Sequence, residues 1–72
     1  MGSTKYKCYV FKNGKKTVFL VNSIDLSNGI LKAKAFAEFN ETNQQFTRIN
    51  PREIIVGGNY FLEEFLGESP KN

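Results

Sequence analysis

An all-β fold is what the chain predicts: a small, five-stranded antiparallel barrel with one short helix at its C-terminal end. Three features lead there. The runs KYKCYVF and KTVFLV are separated by an Asn-Gly turn, the segment ILKAKAFAEF alternates apolar and polar residues, and polar or glycine-containing turns recur between short apolar runs.

The first two runs form a hairpin, because a two-residue type I′ turn needs positive φ at both central positions and Asn13-Gly14 supplies them. With Lys12 opposite Lys15, the pairs are Val10 with Thr17, Cys8 with Phe19 and Tyr6 with Val21 on the face better suited to a core. The other face carries Phe11 with Lys16, Tyr9 with Val18 and Lys7 with Leu20. NSIDLSNG then reads as a polar crossing, with Asp25 and Ser27-Asn28-Gly29 giving turn chemistry.

In the next segment Leu31, Ala33, Ala35, Ala37 and Phe39 alternate with Lys32, Lys34, Phe36 and Glu38, the period of a half-buried strand. Consecutive alanines on its inner side imply a close approach by a sheet layer, a helix or a small ligand. NETN turns the chain and QQFTRI returns as a strand, which Pro51 stops or bends because it has no N–H to donate. EIIV makes a short strand ended by Gly57-Gly58. In NYFLEEFLG the residues Phe61, Leu62, Phe65 and Leu66 fall at helical spacing, with Asn59 as N-cap and Gly67 at the end, so a helix is expected; a strand through YFL is the alternative. Elements this short, curled until few edges remain, suit a barrel of the Sm-like or SH3-like kind.

The 72 residues form one domain over 1–72, with 1–4 and 68–72 expected to be flexible. A chain of this length buries only about 60% of the surface it exposes when unfolded, so its stability is modest. It has no histidine and one cysteine, Cys8, which removes thiolate–imidazole pairs, the usual zinc sets and a disulfide framework. No apolar run reaches the roughly 18 residues of a membrane span, and the start lacks a signal-peptide core. The expectation is a cytoplasmic protein without membrane partner, cofactor or metal.

Catalysis finds little support. Glu63 and Glu64 are adjacent and diverge on a helix, the serines have no imidazole to serve them, and Lys32 and Lys34 have no glycine-rich phosphate loop beside them. The net charge of +3 is uneven, with Lys5, Lys7, Lys12, Lys15 and Lys16 preceding the first acid and Glu53, Glu63, Glu64 and Glu68 near the end. That asymmetry suits an anionic partner, or simply a solvated lysine edge. Two basic-aromatic candidate sites emerge. One joins Lys32, Lys34 and Phe36 with Arg48 and Arg52; the other is the hairpin face of Lys7, Tyr9, Phe11 and Lys16, where aromatics and lysines interleave as on a nucleic-acid-stacking surface or as on a curved sheet covered on both sides. Arg48 shares a side with Phe46, either at a rim with its head in water or lining a pocket.

TRINPREIIVGGNYFL resembles the middle of a WYL domain, a bacterial and phage module of Sm-like fold. The matching residues are Arg48, Pro51, Ile54, Ile55, Gly57 and Gly58, then Tyr60, Phe61 and Leu62, with tyrosine standing where that family has tryptophan. The resemblance spans the second half of the chain. It implies a regulatory module sensing a nucleotide or single-stranded nucleic acid, with Arg48 binding the anion and Tyr60 stacking or walling the pocket. The order of hairpin, sheet and C-terminal helix is also similar to small archaeal chromatin proteins, which are richer in lysine.

The function expected is therefore a non-catalytic binding or regulatory module for an anionic ligand, nucleotide or single-stranded nucleic acid. The alternative is a protein–protein interaction module, such as a phage or plasmid inhibitor, an accessory subunit or a homodimer, which the seven phenylalanines would serve.

Overall fold

The computed structural model describes residues 5–67; the tails expected to be flexible, 1–4 and 68–72, lie outside them. Five strands follow one another: β1 (Tyr6–Lys12), β2 (Lys15–Ser27), β3 (Ile30–Asn40), β4 (Gln45–Val56) and β5 (Tyr60–Glu64). They make a single antiparallel sheet in the order β4-β3-β2-β1-β5.

The first hairpin has the register its turn dictates, Lys12 opposite Lys15 and Cys8 opposite Phe19, and Asn13 and Gly14 take φ of 54° and 74°. Asn28 and Gly29 repeat that conformation at 54° and 75°. The expected polar crossing is instead the second half of β2: Asp25 pairs with Lys32 inside the ladder, and only Asn28-Gly29 turns. A register shift between Asn22 and Asp25 carries the bend, with Ser23 at a φ of 55°. The loop into β4 is held by local side-chain bonds: Thr42 N–H donates to Asn40 Oδ1 at 2.8 Å, Gln44 Nε2 to the Glu41 carbonyl at 2.9 Å and Gln45 N–H to Asn43 Oδ1 at 3.2 Å.

QQFTRI and EIIV are one strand rather than two. The ladder between β3 and β4 shifts register where Pro51 lies, so the proline bends β4 without ending it. The expected C-terminal helix is absent among the described residues. Residues Tyr60–Glu64 pair with β1, Leu62 opposite Cys8 and Phe61 opposite Tyr9. A helix at this point would leave the backbone of β1 unpaired beside a buried core, and that long-range demand outweighs a local 3.6-residue pattern.

The barrel is curled but not closed, since no ladder among the described residues joins β4 to β5. The curl itself follows from chain length. In a flat sheet the outer strands would lie about 19 Å apart, four spacings of ~4.8 Å. Gly57, Gly58 and Asn59 alone connect Val56 to Tyr60, a reach of at most about 14 Å. The sheet must roll, and the rolled face is the core: Cys8, Phe19, Val21, Leu31, Ala33 and Ala35 are buried, with Ile54, Val56, Tyr60 and Leu62 packed against them. The alanines Ala33 and Ala35 of β3 are buried in that face.

The alternation of β3 changes face once. A register shift between Leu20 and Val21 sets Phe36 as the extra residue, so Val21 faces Ala35 while Leu20 faces Ala37. Ala37 and Phe39 therefore leave the main core side, where a strict period of two had put them. Leu20 and Ala37 are nonetheless fully buried, in a second and smaller apolar layer.

Candidate functional site

That second layer underlies the hairpin face. Tyr9 is opposite Val18 on one side and Phe61 on the other, and Phe39 is opposite Phe46. Extending the β2–β3 register by one step beyond Phe19–Glu38 aligns Val18 with Phe39. A transverse row results, Phe61, Tyr9, Val18, Phe39 and Phe46, one residue from each strand. The rings of Tyr9 and Phe61 lie 5.8 Å apart between centroids, those of Phe39 and Phe46 5.3 Å apart near edge-to-face, and Phe65 adds a further edge contact to Phe46 at 5.8 Å.

Above the row is an open groove of about 860 Å³, whose walls include Lys7, Tyr9, Lys15, Lys16, Phe39 and Phe46. Its two sides differ in charge. The hairpin side presents Lys7, Lys15 and Lys16, and the side of β3 and its turn presents Glu38, Glu41 and Gln44. The Lys16 ammonium sits over the Tyr9 ring, 5.9 Å from its centroid. On the β5 side, Glu63 Oε1 accepts a hydrogen bond from the Tyr9 hydroxyl at 3.0 Å and lies 3.7 Å from Lys7 Nζ.

Of the residues singled out in sequence, Lys7, Tyr9, Phe11 and Lys16 share this face, with Lys7, Tyr9 and Lys16 lining the groove and Phe11 outside it, 44% exposed. The second candidate set does not gather. Lys32 lies across from Asp25 and Ile55, and Lys34 across from Asn22 and Glu53, on the far side of the bend. Phe36 is half-buried at the register shift. Arg52 is exposed and its guanidinium covers the Phe19 ring at 5.5 Å, opposite Ala35. Arg48 is exposed across from Ala37, so it shares a face with Phe46 while its head meets water. Tyr60 is half-buried against the core.

Sequence reasoning did not single out Lys15, Val18, Phe39, Phe46, Phe61 or Glu63 as site residues. The hairpin register already places Val18 beside Tyr9. Phe39 and Phe61 depend on the Phe36 shift and on β5 being a strand, neither of which has a local signature. Cys8, the single thiol, is fully buried in the core, and burial pushes its pKa from 9.0 up to about 11. Comparison with protein-family models, curated proteins and solved structures gave no match.

Proposed function

We propose that the protein is a non-catalytic binding module whose hairpin face takes an anionic ligand bearing planar rings, a nucleotide or a single-stranded nucleic acid. The observation that carries this reading is the row of four aromatics crossing the whole sheet, three of which, Tyr9, Phe39 and Phe46, line a groove with lysines along one side. Single-strand binders combine these two elements, since every base has a face to stack and every nucleotide a phosphate to neutralise. The strand order, with β1 between β2 and β5 in a rolled sheet, supports a partly open barrel of the Sm-like or SH3-like kind.

Only a few lysines line the groove, so binding is weak and fades with salt. Fluorescence anisotropy with a labelled single strand tests the reading: measurable binding at low salt, weakened in Lys15→Ala/Lys16→Ala, is the expected result. Equal binding by the double variant, with its fold intact, would sink it.

Phe61, 57% exposed, and Phe11 favour a second reading, a protein partner docked on the same face. Such a complex would survive salt that releases an oligonucleotide.

A further inference from the structure

We propose that the groove holds one unpaired nucleobase, inserted between Tyr9 and Phe39 with Val18 as its floor. This rests on the nucleic-acid reading above and narrows it to a stacking slot for a single base. Tyr9 and Phe39 are carried by β1 and β3, with β2 between them, so their strands lie about 9.6 Å apart, two spacings of ~4.8 Å. A planar ring sandwiched between two others needs about 7–8 Å from one flanking ring to the other, twice the usual carbon–carbon contact distance.

The rings flanking the gap are engaged outward, Tyr9 with Phe61 and Phe39 with Phe46; between them stand the short, half-buried Val18 and the Lys16 ammonium, which covers the Tyr9 ring and turns to the phosphate when a base enters. A fifth aromatic at that position would make the row continuous. Valine, shorter than an aromatic ring, interrupts the row at this point. The Glu63 carboxylate holds the Tyr9 hydroxyl from the far side, which fixes one wall before any ligand arrives.

Charge sets the orientation. Lys15 and Lys16 stand on the hairpin side of the gap, and Glu38 and Glu41 on the other. Phosphates therefore run along the hairpin, and the base points across β2 towards the β3–β4 turn. A base paired inside a duplex cannot enter, because its faces are already stacked and its edge is occupied.

The test uses the full chain and a labelled single strand of about eight nucleotides, a site size within the range of small single-strand binders. The comparison strands have the same phosphates with the bases removed, and the same sequence as a duplex. Intact single strand should bind roughly 5- to 150-fold more tightly than the abasic strand, the range spanned by one stacked base. Val18→Phe, which fills the gap, should abolish that preference. Tyr9→Leu serves as the second variant should Val18→Phe fail to fold, and it should reduce the preference likewise.

Equal affinity for intact and abasic strands overturns the slot but leaves an anion-binding face standing. Equal or tighter binding of the duplex also overturns the slot. Failure of every strand to bind at low salt overturns both the slot and the reading it rests on.

Discussion

Glu63→Gln isolates the most distinctive contact of the hairpin face. One carboxylate oxygen serves both the Tyr9 hydroxyl and Lys7, and the side chains of Lys7 and Glu63 are 31% and 51% exposed. Two charges ~4 Å apart attract by about 1 kcal/mol in bulk water, and an exposed pair retains about 0–1 kcal/mol after side-chain ordering. The amide of glutamine keeps an acceptor for Tyr9 and cancels the charge, so the melting temperature should move by only about 4–8 °C or less. Binding should change more.

With Glu63 in place Lys7 is already neutralised, and a strand meets Lys15 and Lys16; two phosphate contacts give a slope of log K against log salt of about −1.4. Once the Glu63→Gln change removes that charge, Lys7 joins as a third contact, the slope steepens to about −2.1, and affinity at low salt rises about 3- to 5-fold. Anisotropy titrations across about 50–200 mM salt measure both quantities. An unchanged slope in a folded variant that still binds would show that Glu63 does not compete with the ligand, and a lower affinity would reverse the reasoning.

Leu20→Ala removes a side chain with no exposure from the layer beneath the groove; urea denaturation should show a loss of about 2–5 kcal/mol, a large share of the ~4–11 kcal/mol typical of this length. The Cys8 thiol is held protonated in the fold, so its contribution is complete below pH 9 and is lost as pH rises from 9.0 towards about 11. That rise corresponds to about 2–3 kcal/mol, and a wild-type minus Cys8→Ala difference in stability that stays flat across that window would contradict it. A thiol reagent at pH 8 should label Cys8 only as fast as the fold opens; immediate labelling of native protein would count against its burial. At Gly29 an added Cβ meets nothing within 4 Å, so Gly29→Ala bears only the strain of its 75° φ; about 1–2 kcal/mol by denaturation is expected, and no loss at all would mean the turn adapts freely.

Much of the sheet was legible locally. Asn13-Gly14 admits one turn type, that turn admits one register, and every pair from Tyr6–Val21 to Lys12–Lys15 follows. The alternation from Leu31 to Ala35 likewise announces a strand with one buried side. The C-terminal segment was misleading, because Phe61, Leu62, Phe65 and Leu66 satisfy a helical pattern almost as well as a strand pattern, and only the vacant edge of β1 separates the two. The basic patch around Lys32, Lys34 and Arg48 looked compact along the chain. The register brings Asp25 and Glu53 beside those lysines and leaves Arg48 across from an alanine.

By itself, then, the amino-acid order determined which stretches extend, where they reverse and which hairpin residues face one another, since turn chemistry and side-chain alternation act over a few residues. Tertiary structure decided that the last segment is a strand, that β4 runs through its proline, and that Phe39 turns from the core towards Tyr9. Each of those depends on hydrogen bonds between residues far apart in sequence, and a backbone left unpaired beside a buried core costs more than any local preference can return.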